Sequence, residues 1–169
     1  MRSREVYCNA WMRRRGETPN GSVGVFGVVD KPDFALVVPR DESGLWLVEQ
    51  YRYPVRQRAW EFPQGSWGAD ASGSAQELAA AELREETGLQ ADDLRHLARL
   101  YGAYGFCSQG FDVYLATGLR TGPPGREPSE RDMQHRYVPE HEFREMIIQG
   151  DIVDGPTVAA YGLLLLDSH

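Results

Sequence analysis

The sequence has little cysteine, a single lysine and no long apolar run. Its two cysteines, Cys8 and Cys107, are too few for a disulfide scaffold and form no metal-ligand spacing. That scarcity points to a reducing cytoplasm. Lys31 is the only lysine, the other basic residues being arginines, and no function attaches to that usage. No apolar stretch, Leu163 to Leu166 included, approaches the length needed to cross a bilayer. The first residues, MRSREVYCNAWMRRRGE, lack the apolar core of a signal peptide. Positive charge is also in deficit. A net charge of −7 argues against a nucleic-acid backbone or an anionic membrane as partner. An acidic protein can still bind a phosphorylated small molecule where a metal or a local arginine meets it. What remains is globular: 41% hydrophobic and 25% charged residues, in a 169-residue chain the size of one domain. A chain of this length buries roughly 70% of its unfolded surface without covalent staples.

The first two-thirds of the chain reads mainly as strands. Gly21–Val29 and Phe34–Pro39 are β-branched apolar runs around a turn at Asp30–Asp33, and Leu45–Tyr53 follows a second turn. Ala59–Pro63 is a short strand that Pro63 ends. A loop rich in Gly, Ser, Ala and Asp (Gly65–Gly73) leads into a helix. Ser74 and Glu77 form a capping box, the alanines at 79 to 81 favour helix, and Gly88 stops it. Further strands are expected near Leu97–Tyr104, Phe111–Ala116 and Gln134–Val138. Helices are expected over Glu140–Gln149 and from Pro156 to Leu166. Strands interrupted by one helix and followed by two give a mixed α/β (α+β) sandwich, not a doubly wound parallel sheet.

The first helix carries the chemistry. Glu82 lies three and four residues before Glu85 and Glu86, so the three acids share one face. Each like-charge pair costs roughly 0.2–0.5 kcal/mol, and the acids sit at the helix end where the dipole is already negative. A cation relieves both conflicts. Mg²⁺ or Mn²⁺, hard ions that prefer oxygen ligands, suit the carboxylates, and such ions activate water and neutralise phosphate charge. The plainer alternative is a solvated helix with Glu82 and Glu86 exposed beside Arg84. The four histidines have no metal or triad spacing and read as surface residues. Cys107 reads as inert.

The stretch ELREETGL, Glu82 to Leu89, resembles the second half of the Nudix box, G-x5-E-x7-R-E-U-x-E-E-x-G-U with U aliphatic. EFPQG, Glu61 to Gly65, resembles the strand end that leads into it, and the order of elements resembles the Nudix fold over most of the chain. The first half of the box departs from the pattern. Ala81 stands at the arginine position, Gly73 at the earlier glutamate and Trp67 at the leading glycine, for which Gly65 is the better match with two extra loop residues. Asp70 is a weak substitute for the missing glutamate. The resemblance implies metal ligation by Glu82 and Glu86, with Glu85 contributing directly or through water, and by the backbone carbonyl of Gln64. Glu85 and Glu86 are thereby also catalytic candidates.

EQYRYP (Glu49–Pro54), YLATGL (Tyr114–Leu119) and IIQGDIVDGPTVAAYGLLLL (Ile147–Leu166) resemble the ADP-ribose pyrophosphatase group of that family. This implies a substrate contact for Arg52, whose planar fork suits phosphate oxygens; pairing with Glu49 or Glu61 is the alternative. Tyr104-Gly105 stands where the group carries a proline, and a tyrosine nearby is a mark of diadenosine polyphosphate hydrolases. Ser108-Gln109 stands where the group often has Ser-Glu, so a base there is not expected. The loop before Gln134 is expected to supply it, with Glu130 first and Glu127 second; a solvated charged loop is the alternative. Glu61, Trp67, Tyr104 and Phe106 complete the substrate-binding candidates, Trp60 and Phe106 being equally suited to a core.

The resemblance therefore implies a Mg²⁺- or Mn²⁺-dependent hydrolase of nucleoside diphosphate sugars such as ADP-ribose, in the cytoplasm that the scarce cysteines suggest. It implies one domain over residues 1–169 and a homodimer in which residues 1–20 serve as a dimerisation strand. Two alternatives stay open: a dinucleoside polyphosphate or nucleoside triphosphate hydrolase, and a module that senses a nucleotide sugar without cleaving it.

Overall fold

Most strands follow the apolar runs, and two of those that do not are instructive. The computed structural model describes residues 5–8, 12–15, 26–68, 72–126 and 132–167. Three short strands, β1 (Glu5–Cys8), β2 (Met12–Arg15) and β3 (Phe26–Val29), pair antiparallel in that order. The larger sheet is built from β4 (Phe34–Asp41), β5 (Gly44–Arg52), β6 (Gln57–Glu61), β7 (Gln64–Gly65), β8 (Gln90–Tyr101), β9 (Gly110–Arg120) and β10 (Gln134–Pro139). Its order is β10-β5-β4-β9-β8, with β6 beside β5 and β7 beside β4. Only β4 and β9 run parallel among these pairs, so the sheet is mixed.

Strand β4 explains the layering. Its residues 35–38 are all fully buried, so both faces of the strand are covered. Side chains alternate across a strand. Leu36 and Val38 join a core with Phe62, Phe143 and Leu164, while Ala35 and Val37 join a second core with Leu78, Leu83 and Leu89. The first core sits under helices α2 (Glu140–Gln149) and α3 (Gly155–Asp167), the second under α1 (Ala75–Thr87). The expected α/β sandwich is what forms.

The first exception is β8, which starts at Gln90 rather than near Leu97. Its sequence, QADDLRHLARLY, is mostly polar, and an apolar-run criterion passes over it. As the edge strand it is held by its ladder to β9 and by ion pairs of Arg95 with Asp167 and of Arg99 with Asp112 and Asp33. Charged side chains suit an exposed edge. The second exception is β7. Pro63 does end β6, but the chain then returns to pair Gln64 and Gly65 with Leu36 and Ala35. That two-residue strand passes directly beside the acidic helix.

Helix α1 has the expected ends. Ser74 Oγ accepts the Glu77 N–H at 3.2 Å, and the Glu77 carboxylate accepts the Ser74 N–H at 2.8 Å. Gly88, at φ 77°, donates its N–H to the Arg84 carbonyl. Helix α2 occupies the expected span and stops at Gly150. Helix α3 begins at Gly155, one residue before the expected start, because Asp154 caps it: Asp154 Oδ2 accepts from the Thr157 N–H and hydroxyl at 2.9 and 2.8 Å. Among the described residues no helix is long and apolar enough to cross a membrane.

Candidate active site

Helix α1 delivers its acids to the edge of β7. Leu78, Ala79 and Leu83 face the core, and Glu86, one turn beyond Leu83, follows them inward to 2% exposure. The solvated-helix alternative placed it outside. Its Oε2 accepts the backbone N–H of Gln64 at 3.1 Å. Glu82 packs against Gly65 so closely that a Cβ there would lie 2.4 Å from Glu82 Oε1. A side chain at position 65 would push the Glu82 carboxylate aside, so Gly65, rather than Trp67, suits the place of the leading box glycine. Glu82, Glu85 and Glu86 then line one cavity of about 200 Å³ with Gln50, Arg52, Gln64 and Ser66.

Arg52 is held from behind. Glu61 is 1% exposed, and its Oε1 accepts from Arg52 Nη2 at 2.5 Å and Gln50 Nε2 at 2.7 Å. Its Oε2 accepts from Arg52 Nε at 3.2 Å. Burial pushes the Glu61 carboxyl above the ordinary carboxylate range, and Arg52 opposes that rise. Burial works against the Arg52 charge as well, yet the Glu61 carboxylate, with Glu86 and Asp154 nearby, outweighs it and secures the guanidinium's proton. Glu61 therefore positions Arg52, and the two also line a cavity of about 390 Å³ with Val55, Gln57, Val153 and Asp154.

Arg52, Gln64, Gly65 and Ser66 also line an adjoining cavity of about 280 Å³ that reaches Lys31, Phe34 and Gln109. A phosphate chain spanning the two cavities would meet carboxylates on one side and Arg52 between them. The Gln64 side chain is fixed by Asp154, whose Oδ2 accepts from Gln64 Nε2 at 3.0 Å. Asp154→Ala removes that anchor and the α3 cap together. The expected cost is about 1–2 kcal/mol, read as a lower urea midpoint with an unchanged slope.

Among the described residues, no three His, Cys, Asp or Glu side chains converge as a ready-made metal cluster. The donors still fit a hard divalent ion. Glu82, Glu85 and Glu86 present carboxylate oxygens to one polar cavity, and Mg²⁺ needs only one or two of these, with waters and substrate phosphates completing its shell.

The aromatic candidates lie elsewhere. Trp67 turns inward: its ring covers Gly73, where a Cβ would come within 2.8 Å of it, and packs on the core beneath α1. The ring fills space that Gly73 leaves open. Tyr104 and Phe106 are 84% and 60% exposed on the connection between β8 and β9. That connection is tied through its backbone to Val29. None of the three lines either cavity. Glu130, Glu127 and Asp70 lie outside the described residues. His135, expected at the surface, is partly buried beside Arg126. Gln50, Ser66, Asp154 and Arg126 escaped the sequence criteria. Asp154 had a local signal, an acid three residues before Thr157 at a helix start; the others had none.

The chain is similar to known proteins of one family. A NUDIX domain model matches residues 30–161. The ADP-ribose pyrophosphatase of Mycobacterium tuberculosis is 37% identical over 153 residues, covering 89% of this chain and 73% of that protein. The ADP-ribose pyrophosphatase of Bacillus subtilis is 27% identical over 152 residues, 89% of this chain and 81% of that protein. The crystal structure of an ADP compounds hydrolase superposes with a TM-score of 0.78 at 23% identity, covering 97% of this chain and 90% of that one. The chain belongs to the Nudix family of pyrophosphohydrolases.

Proposed function

We propose that the protein hydrolyses the diphosphate bond of ADP-ribose or a closely related nucleoside diphosphate sugar, with Mg²⁺ or Mn²⁺ as cofactor. The observation that carries the assignment is the single cavity in which Glu82, Glu85 and Glu86 face Arg52. Acids alone would repel a diphosphate, and Arg52 alone would bind it without chemistry. The similarity to two ADP-ribose pyrophosphatases supports the substrate class.

In this assignment Glu82 and Glu86 would hold the ion, with Glu85 and the Gln64 carbonyl as further donors. A bound divalent ion supplies charge neutralisation at phosphate and lowers the pKa of water. Arg52, kept charged and oriented by Glu61, binds a phosphate oxygen with its fork. Water attacks one phosphorus and the bond to the bridging oxygen breaks. The water's proton passes to a carboxylate, Glu130 being the candidate, and AMP and ribose 5-phosphate leave. Glu86, clamped through Oε2 by the Gln64 N–H, keeps its place throughout. The assignment takes the chain as one cytoplasmic domain that forms a homodimer through residues 1–20, with neither nucleic acid nor membrane as partner.

The test is product analysis. Purified protein is incubated with ADP-ribose, other nucleotide sugars, diadenosine polyphosphates and nucleoside triphosphates, with Mg²⁺ or Mn²⁺. AMP and ribose 5-phosphate from ADP-ribose, lost on adding EDTA, is the expected result. Preference for a dinucleoside polyphosphate or a triphosphate would overturn the substrate class, and turnover undiminished by EDTA would overturn the metal.

A further inference from the structure

The end of α1 that bears Glu85 and Glu86 is held from outside the helix. A helix leaves its last carbonyls without partners inside itself. Here Thr87 Oγ1 donates to the Leu83 carbonyl at 2.5 Å and Gly88 N–H to the Arg84 carbonyl at 2.8 Å. The next two carbonyls belong to the two acids, and both are met by the segment after β9. Gly125 N–H donates to the Glu85 carbonyl at 3.0 Å, and Arg126 Nε donates to the Glu86 carbonyl at 3.0 Å. The contact is close along its length, since a Cβ on Gly88 would sit 2.1 Å from the Gly122 carbonyl oxygen.

Arg126 does more than cap. Its Nη1 donates to the Met133 carbonyl and its Nη2 meets His135 Nδ1 at 2.6 Å. His135 lies on β10, paired with Val48 of β5. Burial, and then the neighbouring guanidinium, hold His135 below the ordinary imidazole range, which favours an Nδ1 free to accept. One planar group therefore ties the helix end to the sheet through all three of its nitrogens. Glu86 is consequently gripped at both ends: its carbonyl by Arg126 and its carboxylate by Gln64. The cation also sits where stacked acids and the helix dipole both call for positive charge, while position 81 on the helix itself holds alanine.

We propose that Arg126 is a positioning residue for the metal-holding carboxylates, setting the backbone of Glu86, and with its neighbour Gly125 that of Glu85, from the connection between β9 and β10. It rests on the assignment of those glutamates to a divalent ion and acts without touching the substrate. Groups that orient metal ligands typically carry 10–100-fold in affinity or activity.

The test compares wild type with Arg126→Met, which removes charge and donors, and Arg126→Lys, which keeps the charge but loses the three-way fork. Ser74→Ala, at the far end of the same helix, is the stability control. Mn²⁺ binding to substrate-free protein is followed by electron paramagnetic resonance, folded content by circular dichroism, and kcat and KM with ADP-ribose. Arg126→Met is expected to weaken Mn²⁺ binding and lower kcat by at least about 10-fold with KM little changed. Arg126→Lys falls between, and Ser74→Ala leaves both readouts alone. The proposal is overturned if folded Arg126→Met, or Arg126→Lys should the former not fold, binds Mn²⁺ like wild type. It is equally overturned if Ser74→Ala loses as much, or if wild type binds no Mn²⁺. Wild type that binds Mn²⁺ but leaves ADP-ribose intact defeats the substrate assignment alone, because Mn²⁺ binding still reports on Arg126.

Discussion

Glu86→Gln is expected to lower kcat by about 1000-fold, near 4 kcal/mol of transition-state stabilisation, while leaving the fold intact. The substitution keeps shape and one side-chain oxygen. That oxygen still accepts the Gln64 N–H, which in the wild type reaches Oε2 at 3.1 Å. With that buried hydrogen bond preserved, the metal-free melting temperature should move by no more than a few degrees. What disappears is the negative charge at the one acid of the three that is fully buried. A ligand that binds only the folded state raises apparent stability, so wild type should melt higher when Mg²⁺ or Mn²⁺ is added. The variant should show little of that rise. A variant with wild-type kcat, or with the full metal-induced rise, would remove Glu86 from the metal site.

The sequence was legible where the chemistry is local. The caps of α1 at Ser74, Glu77 and Gly88 involve neighbours in the chain, and both ends were read correctly. Strand β4 announced itself by an uninterrupted apolar run, and burial on both faces is why the run is uninterrupted. The three glutamates stood out because their spacing is costly without a cation. What could not be read is what holds them. Gln64 with Glu86 and Arg126 with Glu86 are contacts between different elements, the second across 40 residues of chain, and so are the supporting pairs Gln50 with Glu61 and Gln64 with Asp154. Periodicity does not record such pairs. Trp67 shows the same limit. A tryptophan beside the box is as fit for stacking on a base as for a core, and only the fold places its ring over Gly73 and against the core beneath α1.

Arg52→Ala is expected to damage binding and stability together, and pH separates the two effects. Loss of the fork removes the cation between the two cavities, so KM for a diphosphate substrate should rise by about 10-fold or more. Stability suffers because Glu61, 1% exposed, loses its counter-charge. Removing one partner of a wholly buried pair costs about 3–5 kcal/mol; with Arg52 41% exposed, the cost here should be nearer 2–3 kcal/mol at pH 8. Glu61 already titrates above its ordinary value of 4.5 because burial disfavours its charge, and Arg52 restrains that shift. A carboxyl whose folded pKa is raised binds more protons folded than unfolded, so stability falls as pH climbs from 4.5 through the folded pKa and levels off above it. Without Arg52 the folded pKa rises further and the fall continues to higher pH. The gap between variant and wild type should therefore be smaller at pH 5 than at pH 8, since Glu61 of the variant is more fully protonated at the lower pH. Adding Glu61→Gln to Arg52→Ala should recover most of the loss at pH 8, since a neutral amide can stay buried against Gln50. Urea denaturation at the two pH values decides the matter. A gap that is the same at both would mean that Glu61 is not the group Arg52 holds charged.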